Sequence, residues 1–238
     1  MVEKSSICKV SCFPSATWAM RAAAMIDEHI DIVLQDQEEC SIMLTGGNTI
    51  KLLYEFWRAR PLQNFNRLRF YFGDERCVPP DHQESNFGLA NRLYFNTPDS
   101  LEKVHRMYSG ETNPESAVGE YEKLLPEKID LVFLGLGTDG HIASLFPGCG
   151  STRRIGRKVL SSKGPVWPHE RITVTADIIL DAKYVFLFVI GAEKGKVLAN
   201  SLSEPDNTEG MPVRLTIGRY WLMDENACLE FIKLRGAS

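Results

Sequence analysis

The sequence predicts an α/β fold in which a largely parallel sheet carries helices on both faces. Three observations predict it: short apolar runs alternate with amphipathic stretches, one run is apolar without interruption, and glycine-rich turns follow several of the runs. The uninterrupted run, Leu131-Val132-Phe133-Leu134, suits a strand covered on both faces, because a half-exposed strand would alternate apolar and polar residues.

The elements follow in order. Residues 7–13 predict the first strand. Pro14-Ser15 then opens a helix whose Ala19, Ala22, Ala23, Ile26, Ile30 and Val33 recur at steps of three and four, so that one face joins the core. A strand at 41–45, a helix over about 49–60 and a strand at 68–72 complete a β-α-β repeat. After a loop, 85–95 and 114–125 are expected to be helical, the second opened by a proline that the first helical turn tolerates. The strand at 131–134 comes next, then strands at 172–175 and 184–190, and a helix over 192–202 after Gly191. No repeat, low-complexity tract or linker divides the chain, so residues 1–238 are expected to form a single domain. Residues 149–170, rich in Gly, Ser, Lys and Pro, are the expected mobile loop.

Composition narrows the function classes. The 238 residues, 44% of them hydrophobic, suffice for a large core. A net charge of −4 with scattered Lys and Arg gives no electrostatic footprint for nucleic acid. The opening MVEKSSICKVSCF lacks the apolar core of a signal peptide, and no apolar stretch approaches the roughly 20 residues that span a bilayer. A soluble cytoplasmic protein with no membrane or nucleic-acid partner is expected. The six cysteines, Cys8, Cys12, Cys40, Cys77, Cys149 and Cys228, are spread without a framework and are expected to be free thiols. No nearby His or Cys pair completes a zinc set around Cys8 and Cys12, so no metal is expected.

Three turns carry chemistry. In Gly135-Leu136-Gly137-Thr138-Asp139-Gly140-His141, glycines allow close backbone approach while Asp139 and His141 supply the titratable pair of an acid–base site. A lone His is more often structural; a His behind a strand, beside Asp and three Gly, is a catalytic candidate. In Thr45-Gly46-Gly47-Asn48-Thr49, a strand gives way to a helix start whose N–H groups and positive dipole end favour an anion such as phosphate. This turn lacks the Lys of a phosphate-binding P-loop and the third Gly of a dinucleotide fingerprint, so nucleotide binding is not supported. In Gly73-Asp74-Glu75-Arg76, again after an apolar strand, an acid pair and an arginine could be an ordinary surface ion cluster. Because the carboxyl ends of parallel strands share one rim, however, all three turns could converge on one ligand.

The strings TGGNT, FGDERCVPPDHQESN and GLGTDGHIASLFPG, in this order and spacing, resemble the 6-phosphogluconolactonase family, and the resemblance runs nearly the full length. It extends to Val104-His105-Arg106, to residues 171–175, to Gly191-Ala192-Glu193-Lys194 and to residues 211–214. It implies a Rossmann-like sheet of the glucosamine-6-phosphate deaminase/ribose-5-phosphate isomerase-like fold, and hydrolysis of 6-phospho-D-glucono-1,5-lactone to 6-phospho-D-gluconate without metal or organic cofactor. On the residues that match, it implies His141 as the base that activates water, Asp139 or Asp74 as its orienting carboxylate, and Arg76 at the lactone carbonyl. It implies Gly46, Gly47, Asn48 and Thr49 as the phosphate cradle, and Arg171 with Lys194 as its cationic clamp. The only partner implied is the small sugar-phosphate lactone, for a monomer or weak homo-oligomer.

This chain departs from the usual family pattern at Thr45, Asn48 and Ile50, where Ser, Ser and Pro are commoner, and at Ile142, where Thr is frequent. Asn and Thr still hydrogen-bond, so phosphate binding is expected to survive. Two other readings carry their own tests. A sugar-phosphate isomerase or deaminase would use a carboxylate such as Asp74 on carbon and turn over glucosamine-6-phosphate, but its turn continues Asn-Glu-Pro and places a Glu where this chain has Phe146. A non-catalytic sugar-phosphate sensor is expected to carry a DNA-binding module, for which a chain beginning at its first strand leaves no room, and binding alone would not demand His141 and Arg76.

Overall fold

The computed structural model describes residues 8–110, 113–150 and 152–236. In chain order the elements are β1 (Lys9–Phe13), α1 (Trp18–Asp36), β2 (Cys40–Leu44), α2 (Asn48–Ala59), β3 (Leu68–Phe72), β4 (Asp74–Arg76), α3 (Asn86–Leu93) and α4 (Pro98–Leu101). There follow α5 (Pro114–Leu124), β5 (Leu131–Gly135), β6 (Val159–Lys163), β7 (Glu170–Val174), α6 (Ala176–Asp181), β8 (Tyr184–Val189), α7 (Ala192–Ser201), β9 (Tyr220–Asp224) and α8 (Glu225–Gly236). Residue 7 of the expected first strand lies outside the described residues.

Six strands form one parallel sheet in the order β1-β9-β8-β5-β2-β3. Side chains alternate across it, as a two-residue period requires. Phe133, Phe186 and Phe188 meet Trp57 of α2 and His29 and Trp18 of α1, while Trp221 meets Phe231 of α8 edge-on at 6.0 Å. Helices therefore cover both faces, and the expected apolar face of α1 is buried at Ala22, Ala23, Ile26, Ile30 and Val33. The outer edge at β3 is closed by a side chain: the Tyr121 hydroxyl donates to the Phe72 carbonyl at 3.0 Å and accepts from the Phe72 N–H at 2.7 Å.

The connections position the site. From β2 the chain moves outward to β3, then returns to lay β5 on the other side of β2. The two turns leaving β2 and β5 thus diverge at a topological switch point, where open α/β sheets form their ligand crevice. After β3, Gly73 donates to the Leu44 carbonyl and the chain leaves the main sheet.

Four sequence expectations are corrected. Residues 74–76, expected in a loop, form β4, and β4-β7-β6 make a second, antiparallel sheet. The strand expected at 172–175 therefore belongs to that sheet as β7 instead of extending the parallel one, and β6 lies inside the stretch expected to be a mobile loop. β4 was hidden because its partner β7 lies far along the chain, and β6 because its sequence, Val-Leu-Ser-Ser-Lys, is largely polar. Lastly, Cys12 and Cys228 are not free thiols: they form a disulfide across a sequence separation of 216, with Cα atoms 6.0 Å apart. β1 and α8 lie at opposite ends of the chain, so only the fold brings these two cysteines within bonding range. Cys8, Cys40 and Cys77 remain thiols. No described helix is long and apolar enough to cross a membrane.

Candidate active site

Backbone geometry accounts for the turn after β5. The Gly137 N–H donates to the His141 carbonyl at 2.8 Å, closing a tight loop with Asp139 at its tip. A Cβ at position 137 would overlap Nδ1 of His141, so glycine is required for the imidazole to lie where it does. Asp139 Oδ1 accepts from the His141 N–H at 3.1 Å and bonds ring Nδ1 at 2.5 Å. Burial pushes the Asp139 carboxyl up, but the His141 backbone N–H, the imidazole's charge and the side-chain hydrogen bond together bring it below the usual carboxylate range. Of the two aspartates considered for His141, Asp139 is the one in contact, which leaves Nε2 as the ring's other nitrogen.

His141 lines a cavity of about 380 Å³ together with Thr45, Gly46, Gly47, Asn48 and Thr49. Gly47 stands at φ 90°, a left-handed conformation that favours glycine, and caps α2 without a side-chain hydrogen bond. The first N–H groups of α2 are thereby presented toward the cavity at the positive end of the helix dipole. Lys51 Nζ donates to Asn48 Oδ1 at 2.8 Å and steadies that side chain. Ile50, standing where the family often has proline, is fully buried and the helix starts without it.

β4 supplies the opposite wall. Its register with β7 places Asp74 across from Thr173 and Arg76 across from Arg171, while Glu75 points the other way. Asp74, Arg76 and Arg171 line the cavity. Asp74 is held by Ser144 Oγ at 2.7 Å and Asn86 Nδ2 at 3.1 Å. Arg76 Nη1 donates to the Glu84 carbonyl at 2.6 Å and to Glu84 Oε2 at 3.2 Å; its Nε is buried with no partner among the described residues. Burial draws the Arg171 guanidinium down from its usual range, and the facing Arg76 adds to the effect, while Asp74 and Glu84 favour the charged form. Arg171 Nε donates to the Pro168 carbonyl at 2.7 Å, so Arg171 also anchors the segment that brings Pro165 and Val166 to the rim.

Lys194, on the first turn of α7, completes the cationic lining; burial lowers its ammonium, and Glu193 and Asp139 oppose that shift. Glu75 turns into the protein, where its carboxylate accepts from the N–H groups of Arg76, Asn86 and Phe87 and from Ser85 Oγ. Every predicted site residue except Asp139 lines the one cavity, and Asp139 reaches it through His141. Sequence reasoning missed Asn86 and Ser144 as the groups holding Asp74, although Ser144 lies within the ASLFPG string and Asn86 follows the 74–76 turn. It also missed that Phe146 packs against His141, ring centroids 4.8 Å apart. Among the described residues no group of His, Cys, Asp and Glu is arranged to hold a metal ion.

Residues 14–220 match the family model described as glucosamine-6-phosphate isomerases/6-phosphogluconolactonase. The chain is 33% identical over 209 residues to a 6-phosphogluconolactonase of Haemophilus influenzae, covering 84% of this chain and 87% of that protein. It is 32% identical over 202 residues to one of Treponema pallidum, covering 79% and 82%. A solved structure of 6-phosphogluconolactonase from Trypanosoma brucei superposes with a TM-score of 0.81 at 27% identity, covering 93% of this chain and 98% of that one.

Proposed function

The chain belongs to the glucosamine-6-phosphate isomerase/6-phosphogluconolactonase family, and from that premise we propose that its cavity hydrolyses 6-phospho-D-glucono-1,5-lactone to 6-phospho-D-gluconate, a step of the oxidative pentose phosphate pathway, by general-base activation of water. The observation that carries this reading is the 2.5 Å bond from Asp139 to Nδ1 of an imidazole lining the same cavity as the open start of α2.

A lactone is an activated ester, so its hydrolysis needs a base for water and a stabilising group for the oxyanion. With Asp139 on Nδ1, His141 takes a proton from water through Nε2 as the water oxygen bonds to C1 of the lactone. The carbonyl oxygen gains negative charge, which the Arg76 guanidinium on the cavity wall is placed to offset. When the tetrahedral intermediate collapses, the bond from C1 to the ring oxygen breaks, and the imidazolium returns its proton to that oxygen as it becomes the C5 hydroxyl. Asp74, fixed by Ser144 and Asn86, favours the charged guanidinium of Arg171. The 6-phosphate occupies the N–H groups of Gly46, Gly47, Asn48 and Thr49, with Arg171 and Lys194 as counter-charges.

The packing of Phe146 on His141 favours this reading over deamination, since an apolar ring stands where an amino-sugar reaction would want a carboxylate. The whole 1–238 chain is read as one cytoplasmic lactonase domain, monomeric or weakly self-associating, with no nucleic-acid partner and no cofactor. The test is hydrolysis of 6-phosphogluconolactone generated in place, spontaneous hydrolysis subtracted, with unphosphorylated gluconolactone beside it. Fast turnover of the phosphorylated lactone alone is expected. No rate above background from folded protein would overturn the proposal and direct the assay to glucosamine-6-phosphate.

A further inference from the structure

Asp224 ends β9, is 2% exposed, and has no place in the chemistry above. One of its oxygens, Oδ1, accepts two backbone hydrogen bonds: from Gly191 at 2.9 Å and from Ala227 at 2.8 Å. The other, Oδ2, accepts from Ser15 Oγ at 3.1 Å. Gly191 is the N-cap of α7 and has no side chain of its own with which to cap it; Ala227 lies in the first turn of α8. A single carboxylate therefore ties together the positive ends of two helices.

The tie leads to the cavity. The Gly191 carbonyl accepts from the N–H groups of Lys194 at 3.1 Å and Gly195 at 3.2 Å, so the glycine that Asp224 holds by its N–H also sets, through its carbonyl, the first turn of α7 and the origin of the Lys194 side chain. The two helices also touch at this level: a Cβ at Gly195 would overlap the Ala227 carbonyl, so glycine there lets α7 lie directly against α8. β8, which precedes Gly191, pairs with β9 through Val189 and Met223, so the anchor sits on the neighbouring strand of the same rim.

We propose that Asp224 is a positioning residue for the phosphate clamp: by fixing the start of α7 it fixes where Lys194 meets the substrate phosphate. The inference rests on the assignment of Lys194 to the phosphate.

Asp224→Ser is the informative variant. A serine hydroxyl at this position still caps α8 through the Ala227 N–H, as serine N-caps do, but one short oxygen cannot also hold Gly191. With the phosphorylated lactone, KM is expected to rise about 10-fold while kcat stays within about twofold. Asp224→Asn, whose amide oxygen can accept from Gly191 while its NH2 group donates to Ser15, is expected to return KM to within about twofold of the parent. In a Lys194→Ala background, Asp224→Ser should raise KM no further, because the cation it positions is gone. An unchanged KM, a loss confined to kcat, or an undiminished rise in the Lys194→Ala background overturns the proposal. If Asp224→Ser does not fold, Ser15→Ala, which frees Oδ2 alone, is expected to raise KM about threefold, and an unchanged KM there overturns it equally. If Lys194→Ala itself leaves KM unchanged, the clamp assignment falls and this proposal with it. That result differs from a Lys194 effect without an Asp224 effect.

Discussion

Replacing Gly137 by alanine separates the placement of the imidazole from the stability of the fold. Gly137 is not among the glycines with positive φ, so alanine can adopt its backbone without left-handed strain, and the hydrogen bond from its N–H to the His141 carbonyl at 2.8 Å survives. The added Cβ would overlap His141 Nδ1 and lie 2.6 Å from Asp139 Oδ1, whereas ordinary contact begins at 3.4 Å. Both groups are ends of side chains, so they yield at small cost in stability, but the ring has to move by roughly 1 Å or more, and a misplacement of that size costs about 10²-fold in rate. This corresponds to about 3 kcal/mol of barrier. Steady-state kinetics on the phosphorylated lactone, with thermal melts, should show kcat reduced by about 10²-fold, KM within about threefold and a melting temperature lowered by only a few degrees. A folded Gly137→Ala protein with kcat within about twofold of the parent would refute the reasoning, because His141 would then not need the position it occupies.

Other perturbations test the remaining parts. His141→Ala should lower kcat by about 10²- to 10⁴-fold while 6-phosphogluconate still binds, whereas Lys194→Ala should mainly raise KM; calorimetric titration beside kinetics checks the split. Burial pushes the Glu75 carboxyl up to about 7, against the hydrogen bonds from Phe87, Asn86 and Arg76 that lower it. An acid whose folded value is raised keeps its proton in the native state while the unfolded chain loses it, so its contribution is full below pH about 4.5 and lost as pH rises to about 7. Chemical denaturation at pH 5 and pH 8 should therefore show the parent losing up to ~3 kcal/mol more than Glu75→Gln over that interval, and equal losses would contradict it. Reducing the Cys12–Cys228 disulfide, which closes a separation of 216 residues, removes ~5 kcal/mol on a chain-entropy estimate and should lower the melting temperature by about 10 °C or more. Cys12→Ser and Cys228→Ser should each reproduce that loss and the double variant should add nothing, as melts with and without reductant would show.

What was legible in the sequence is what local rules encode. The three- and four-residue spacing of Ala22, Ala23, Ile26, Ile30 and Val33 gave the buried face of α1, and the unbroken Leu131–Leu134 run marked a strand covered on both faces. Strands that are short or largely polar, and so depend on their pairing partner, were not legible. β4 reads Asp-Glu-Arg and β6 reads Val-Leu-Ser-Ser-Lys, and neither is apolar enough to declare itself without β7 between them. α8 went unassigned because it buries Ala227 and Cys228 yet exposes Leu229 and Ile232, so its apolar residues mark no single face.

The site shows the same division at the scale of single residues. The glycine turns after β2 and β5 could be named from sequence because glycine, Asp and His carry their chemistry wherever the chain places them. Which aspartate meets His141 could not be named, since Asp139 and Asp74 are the same residue type and only the short loop closed by Gly137 and His141 brings Asp139 onto Nδ1. Asp74 and Arg76 reach the cavity while Glu75 does not because β4 is a strand, and alternate residues of a strand face opposite sides. A loop reading of residues 74–76 gives no reason for Glu75 to part from its two neighbours. The strand sends two of the three to the cavity and the third to the N–H groups that open α3. Asp74 and Arg76 were named for the site from the sequence, but that Glu75 braces the wall on which they are mounted shows only once β4 is a strand.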